Sequence, residues 1–318
     1  MPATAKPIRV LRRFGIGEWY GKLFTELTAD ERTELVAQAS VRGALPNVPC
    51  PFLSRPNHSE RCNKRGGVCS LRLYARDADS GAGVVVPGNE GRLRTTCPNR
   101  FRENAMIYRW VGETLLGNPA PVVLGEIGFL SRSTAISGPG REDPVEAADD
   151  VGRIDNVLVA EDGGRLSWCA LEIQAVYFQG SGMGEDFSAI ARHSGAGVPF
   201  PVGTRRLDYR SSGPKRLMPQ LEIKVPSLRR WGKKTAVVVD EDFFAALSPM
   251  EEVSDVSNCD IAWFVVRYEE TAGRVILVPN RVALTTLERA VEGLTAGLPV
   301  TLNEFERRIR LKMSELQA

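Results

Sequence analysis

At 318 residues the chain is long enough for one large domain or two small ones. Its 43% hydrophobic and 25% charged residues are the make-up of a soluble globular protein. No apolar run approaches the length of a membrane span or forms a signal peptide, so no membrane partner is expected and a reducing cytoplasm is the expected setting. Net charge is only +2, but ten Lys/Arg face two acids between Pro201 and Lys234, and seven acids face one Arg between Glu142 and Glu161, a split that suits a polyanion and cations or two loops that pair.

Residues 16–43 read as a helix, capped by Thr28 or Asp30 and carrying Leu35, Val36 and Ala39. Residues 44–100 are rich in Pro, Gly, Asn and Arg with little apolar periodicity, so a core is not expected there. Four of the six cysteines fall in this stretch: Cys50, Cys62, Cys69 and Cys97, spaced C-x11-C-x6-C-x27-C. In a reducing compartment disulfides are disfavoured and clustered thiols read as a metal site. Four thiolates suit Zn²⁺ or iron, and a closed four-ligand site serves folding rather than chemistry. His58 is a possible substitute ligand. Cys169 and Cys259 lie in apolar segments and read as small core residues.

Met106, Ile107, Trp110, Val111 and Leu115 share one helical face over 103–117, and Gly117-Asn118-Pro119 stops that helix. P-V-V-L-G-E-I-G-F-L reads as a strand, 131–150 as a loop, and R-I-D-N-V-L-V-A followed by E-D-G-G and R-L-S-W-C-A-L-E-I-Q-A-V-Y-F as a hairpin. Residues 180–213 read as mostly loop. Leu217, Leu221, Val225, Leu228 and Trp231 give helical spacing over 217–232, T-A-V-V-V-D and D-I-A-W-F-V-V-R-Y read as buried strands, and Thr301 with Glu304 caps a closing helix. The fold class is a mixed α/β core with a cysteine-rich module in front, divided as 1–100, 101–280 and 281–318.

The hairpin carries the chemistry. Glu172 and Gln174 are two apart on a strand and share a face, while Leu171, Ile173 and Ala175 point the other way. With Asp155 on the neighbouring strand they can hold Mg²⁺ against a phosphate; on spacing alone they serve equally as polar residues of a half-exposed strand. Glu126 in V-L-G-E-I-G-F is the first choice for a third acid and Glu113 the second. A rival E-x-K, Glu222 and Lys224 with Asp208 upstream, competes as a strand motif, although Pro219 and the longer periodicity favour a helix.

The motifs I-D-N, L-E-I-Q-A-V-Y-F, R-C-N-K-R-G-G-V-C-S, T-C-P-N-R-F and L-R-R-W-G-K-K-T-A-V-V-V-D resemble the NotI restriction endonuclease family, of the PD-(D/E)XK nuclease superfamily, over residues 45 to 270. The resemblance implies a restriction-endonuclease-like core, Mg²⁺-dependent cleavage of double-stranded DNA by a homodimer, and one structural metal, iron in the family, on Cys50, Cys62, Cys69 and Cys97. It makes Asp155 and Glu172 the Mg²⁺ carboxylates and puts Gln174 where most of the superfamily has Lys; Gln can orient water but cannot offset charge. The basic stretch then offers Arg205, Arg206, Arg210, Lys215, Arg216, Arg229, Arg230, Lys233 and Lys234 as contacts to DNA phosphates or bases. Arg61, Lys64 and Arg65 in the cysteine module could likewise touch phosphate. A palindromic site read by a two-fold dimer is the main expectation. An inactive DNA-binding relative and a nuclease for modified DNA are the competing ones.

Overall fold

The computed structural model describes residues 10–39, 47–54, 58–131, 150–271, 273–295 and 300–316. The described residues open with a strand, not a helix: β1 (Arg12–Trp19) turns into β2 (Lys22–Leu23) before α1 (Ala29–Ala39) begins. The helix expected over 16–43 is therefore confined to its second half. Thr28 caps α1: its Oγ1 accepts from the Glu31 N–H and its own N–H donates to the Glu31 carboxylate, a reciprocal box.

β1 lies antiparallel to β3 (Val68–Arg76), and β4 (Gly83–Val85) and β5 (Arg94–Thr95) complete this first sheet on β3. The expectation that 44–100 buries little is overturned. Trp19, Phe24, Phe52 and Tyr74 form a core with Cys50, Cys62 and Cys69. Its apolar residues come from distant segments, so local periodicity is weak although burial is complete. Trp19 stacks on Phe187 with ring centres 5.3 Å apart. Phe187 belongs to α3 (Gly184–Ala191), which stands between β9 (Tyr177–Gly180) and β10 (Arg205–Asp208), two strands that pair with each other. Residues 180–213 are thus more ordered than a loop reading allows.

α2 (Met106–Leu116) leads into the second sheet, formed by β6 (Val122–Ser131), β7 (Asp150–Asp162), β8 (Arg165–Ile173), β11 (Thr235–Asp240), β12 (Ile261–Thr271) and β13 (Arg274–Thr285) in the order β13-β12-β11-β8-β7-β6. The three central strands β8, β11 and β12 are parallel and the outer pairings antiparallel. Parallel neighbours need crossovers. The first contains the short α4 (Tyr209–Ser212), a π-helical turn Gly213–Leu217 and α5 (Met218–Arg230); the second contains α6 (Glu241–Ala245).

Helices cover both faces. Leu158, Cys169, Leu171, Val238 and Phe264 pack against Ile107 and Val111 of α2. On the other face Val237, Val239 and Trp263 meet Leu221 and Val225 of α5 together with Ala290 and Leu294 of α7 (Leu287–Thr295). Each aliphatic side chain buried here contributes about 1.5–3 kcal/mol. α8 (Leu302–Leu316) starts where Thr301 accepts from the Glu304 N–H, and none of its residues is buried. Among the described residues no helix is long and apolar enough to cross a membrane.

Candidate active site

The β7–β8 register sets Asn156 opposite Leu171 and Val157 opposite Ala170, and one residue further Asp155 comes beside Glu172. Strand alternation sends Leu171 toward α2 and Glu172 toward α5. There the Lys224 ammonium of α5 waits. Its Nζ lies 2.5 Å from Glu172 Oε1 and 3.8 Å from Asp155 Oδ1, and it donates at 3.1 Å to Gln220 Oε1 one turn earlier. Glu172 is 4% exposed, whereas the Asp155 side chain is 62% exposed. The cluster has a dry floor and an open mouth.

Burial pushes the Glu172 carboxyl above the usual carboxylate range; Lys224 opposes that shift and Asp155 adds to it. Two carboxylates aimed at one ammonium fit a cation site, because a buried negative charge needs a positive one. Asp155 and Glu172 are a set of two: among the described residues no three His, Cys, Asp or Glu side chains are gathered to hold a metal ion.

Gln174 follows β8 and is buried. Its backbone N–H extends the parallel pairing to Val238 O at 3.0 Å, and its side-chain Nε2 donates to Ala175 O at 2.5 Å. Glu126 sits on β6 in the register position beside Asp155, between the Gly125–Asn156 and Ile127–Ile154 pairs. Its φ of 47° is left-handed and strained for a non-glycine residue, and its carboxylate is exposed with Arg153 at 3.3 Å. Glu113 is exposed on α2, which covers the opposite face of the sheet.

The rival E-x-K is not a strand. In α5 Glu222 points to solvent while Lys224 is buried, and Asp208 caps α4 by accepting from the Ser211 N–H at 2.9 Å. Its lysine nevertheless belongs to the Asp155–Glu172 cluster. Sequence reasoning missed this partnership, though a signal existed. Leu221, Val225 and Leu228 mark the buried stripe of α5, and Lys224 falls on it.

The basic segment divides. Arg205 is buried, ion-paired to Asp186 and donating to the carbonyls of Ser181, Gly182 and Phe14, so it is removed from the DNA-facing set. Arg229 is held by Asp260 and Glu288, Lys234 by the carbonyls of Ser257 and Cys259, and Lys233 lies 5.3 Å from the Trp168 ring centre. Arg230 is exposed and donates to Ser227 Oγ at 3.2 Å. Arg206, Arg210, Lys215 and Arg216 are exposed, Arg216 stacking over Tyr177 at 3.5 Å. They precede the turn of α5 that carries Gln220 and Lys224. Arg61, Lys64 and Arg65 are exposed in the cysteine module.

The four thiols are free and buried. Two backbone contacts pair them: the Pro49–Arg61 bridge brings Cys50 to Cys62, and the Cys97 N–H donates to Cys69 O at 3.1 Å. Cys50 and Cys62 share a side-chain hydrogen bond that draws the Cys50 thiol down to about 6 and pushes Cys62 up. Burial raises Cys69 and Cys97. The thiols feel one another electrostatically and the donor set suits a soft ion, yet they are not drawn into a coordination cluster. His58 is exposed beside Glu60.

A mixed sheet between helices, with two carboxylates meeting a lysine, is consistent with a nuclease. The family model described as restriction endonuclease NotI matches residues 34–275, and the chain belongs to that family. Membership makes it a restriction endonuclease, a hydrolase that cuts DNA site-specifically. No curated protein matches the chain.

Proposed function

We propose that the chain is a type II restriction endonuclease that hydrolyses phosphodiester bonds of double-stranded DNA at a palindromic site, as a cytoplasmic homodimer built on a PD-(D/E)XK core. The observation that carries this reading is the convergence of Asp155 and Glu172 on one cation, Lys224. Mg²⁺ held by the two carboxylates would offset the charge that develops on the phosphate and acidify a water for attack. Asp155, at the open mouth, would meet the incoming backbone, and Glu172, at the buried floor, would hold the ion from the other side. Gln174 orients water once its amide turns from Ala175 O, and Glu126, beside Asp155, is the third acid. Arg206, Lys215, Arg216 and Arg230 contact phosphates, with Lys233 at the margin.

Cys50, Cys62, Cys69 and Cys97 hold one structural iron, or zinc in its place, that fixes residues 1–100 against the nuclease unit of 101–280; 281–318 closes the chain. Metal analysis of purified protein tests this: one iron or zinc per chain supports it, and a four-fold Cys→Ser variant that folds normally contradicts it. A plasmid and genomic-DNA digest with Mg²⁺ tests the function. Wild type cuts to discrete fragments and Glu172→Ala does not; failure of wild type to cut unmethylated or modified DNA leaves only an inactive DNA-binding protein.

A further inference from the structure

We propose that Lys224 supplies the catalytic positive charge that β8 lacks at Gln174, so that an E-x-Q strand works with a lysine carried in by a helix. This rests on the reading of Asp155 and Glu172 as the cleavage site.

Geometry is the first argument. The Lys224 ammonium touches Glu172 and faces Asp155 from an element 52 and 69 residues away in the chain. Gln174, two residues along the Glu172 strand, is neutral and has its amide turned to Ala175 O. The charge that Gln174 cannot provide is therefore present at the Glu172 and Asp155 carboxylates, brought from another direction.

Burial is the second. Lys224 is 6% exposed on the stripe formed by Leu221, Val225 and Leu228. Lysine is almost never buried there without a partner, and an apolar residue would pack the stripe without a desolvation cost. Gln220, one turn earlier, steers the side chain from its exposed edge. Of the three ammonium hydrogens, Glu172 and Gln220 take two, while Asp155 at 3.8 Å is beyond hydrogen-bond reach. The third is available to water or to a phosphate oxygen.

The step is a hydrolysis in which Lys224 keeps its proton. A water oxygen forms a bond to phosphorus and its proton passes to solvent. The ester P–O bond opposite breaks, and the departing oxygen takes the electron pair and a proton from solvent. Lys224 offsets the negative charge gathering on the attacking oxygen and the phosphate.

Three variants of the full chain separate this from a merely structural ion pair: Lys224→Met, Gln174→Lys and the two combined. Cleavage of genomic DNA at saturating Mg²⁺ is expected to fall about 100-fold or more in Lys224→Met and to return to within about tenfold of wild type in the combined variant, where lysine sits on β8. Titration with Mn²⁺ without DNA reads the same charge independently of activity. Loss of the ammonium tightens Mn²⁺ binding about tenfold, because the carboxylates lose a competing cation. A structural pair predicts the reverse: looser Mn²⁺ binding, a lower melting temperature and no rescue. Wild-type cleavage by Lys224→Met, or loss without rescue and without tighter Mn²⁺ binding, overturns the proposal while loss in Glu172→Ala leaves the site reading standing. Unchanged cleavage by Glu172→Ala removes the site reading and the lysine role together.

Discussion

Two of the buried carboxylate–cation pairs among the described residues, Arg100–Glu18 and Lys224–Glu172, are built differently. In the first, Arg100 is fully buried: it donates to both Glu18 oxygens at 3.0 and 2.9 Å, to Glu103 at 2.9 Å and to Val275 O at 3.1 Å, between the rings of Phe52 and Tyr268. Glu18 also accepts from Ser70. Both partners of that pair are closed off from solvent, with side chains 0% and 2% exposed. In the second, Lys224 holds Glu172 and Gln220 and falls short of Asp155, which stands in solvent. The closed pair ties β1 to β13 through Arg100, whereas the open pair leaves the Asp155 carboxylate in solvent. An exposed partner at the edge of the pair, rather than burial of the pair itself, is what distinguishes the second from the first.

The largest expected effect sharpens this contrast. Arg100→Ala leaves Glu18 buried without its cation and costs about 3–5 kcal/mol in urea unfolding. Glu172→Gln is expected to cost less, about 1–3 kcal/mol, because Lys224 loses its nearest carboxylate but keeps Gln220 and the neighbouring Asp155, and it is expected to remove cleavage. Equal stability losses in the two variants would erase the distinction.

Asp240 is a further buried acid, hydrogen-bonded by two backbone N–H groups, Phe243 N at 2.8 Å and Thr95 N at 3.2 Å. Burial raises its pKa to about 6. The folded state thus binds this proton more tightly than the unfolded chain does. The contribution is most favourable near pH 4 and is lost as pH rises through about 6, by up to about 3 kcal/mol. Asp240→Asn, which retains a cap acceptor, should flatten that slope in pH-dependent melting; an unchanged slope assigns it to another group.

The smallest effect concerns the surface. Lys215→Ala and Arg216→Ala should each lower the slope of log affinity against log salt by about 0.9 in DNA-binding titrations. Arg229→Ala, whose charge is held by Asp260 and Glu288, should leave that slope nearly unchanged. A larger effect from Arg229 would reverse the division of the basic segment.

The half of the fold built on the six-stranded sheet is legible in the sequence because its signals are local. Alternation in L-E-I-Q-A puts Leu171 and Glu172 on opposite faces, and Gly163-Gly164 turns the hairpin. The N-terminal half is not. β1 pairs with β3 some fifty residues away, and its glycines leave no periodic side chain to read: a Cβ at Gly15 would strike Pro201, and one at Gly17 would strike Leu93. β13 escapes for a related reason. It contains Pro279, admissible because β13 is an edge strand with a register shift near that residue. In the site, Glu172 is visible from its strand, but Lys224 reaches it only through the packing of α5. A two-residue motif cannot encode that long-range contact. Arg205 shows the converse: composition marks it as surface charge, and only tertiary contact with Asp186 takes it inside.

Anomalous diffraction from crystals grown with Mn²⁺ and cognate DNA tests the central claim most directly. The account predicts an Mn²⁺ ion bound by Asp155 and Glu172 beside a backbone phosphate, with Lys224 turned from Glu172 toward that phosphate. An ion bound elsewhere, with the Lys224–Glu172 contact intact and no phosphate within reach of Asp155, would contradict it.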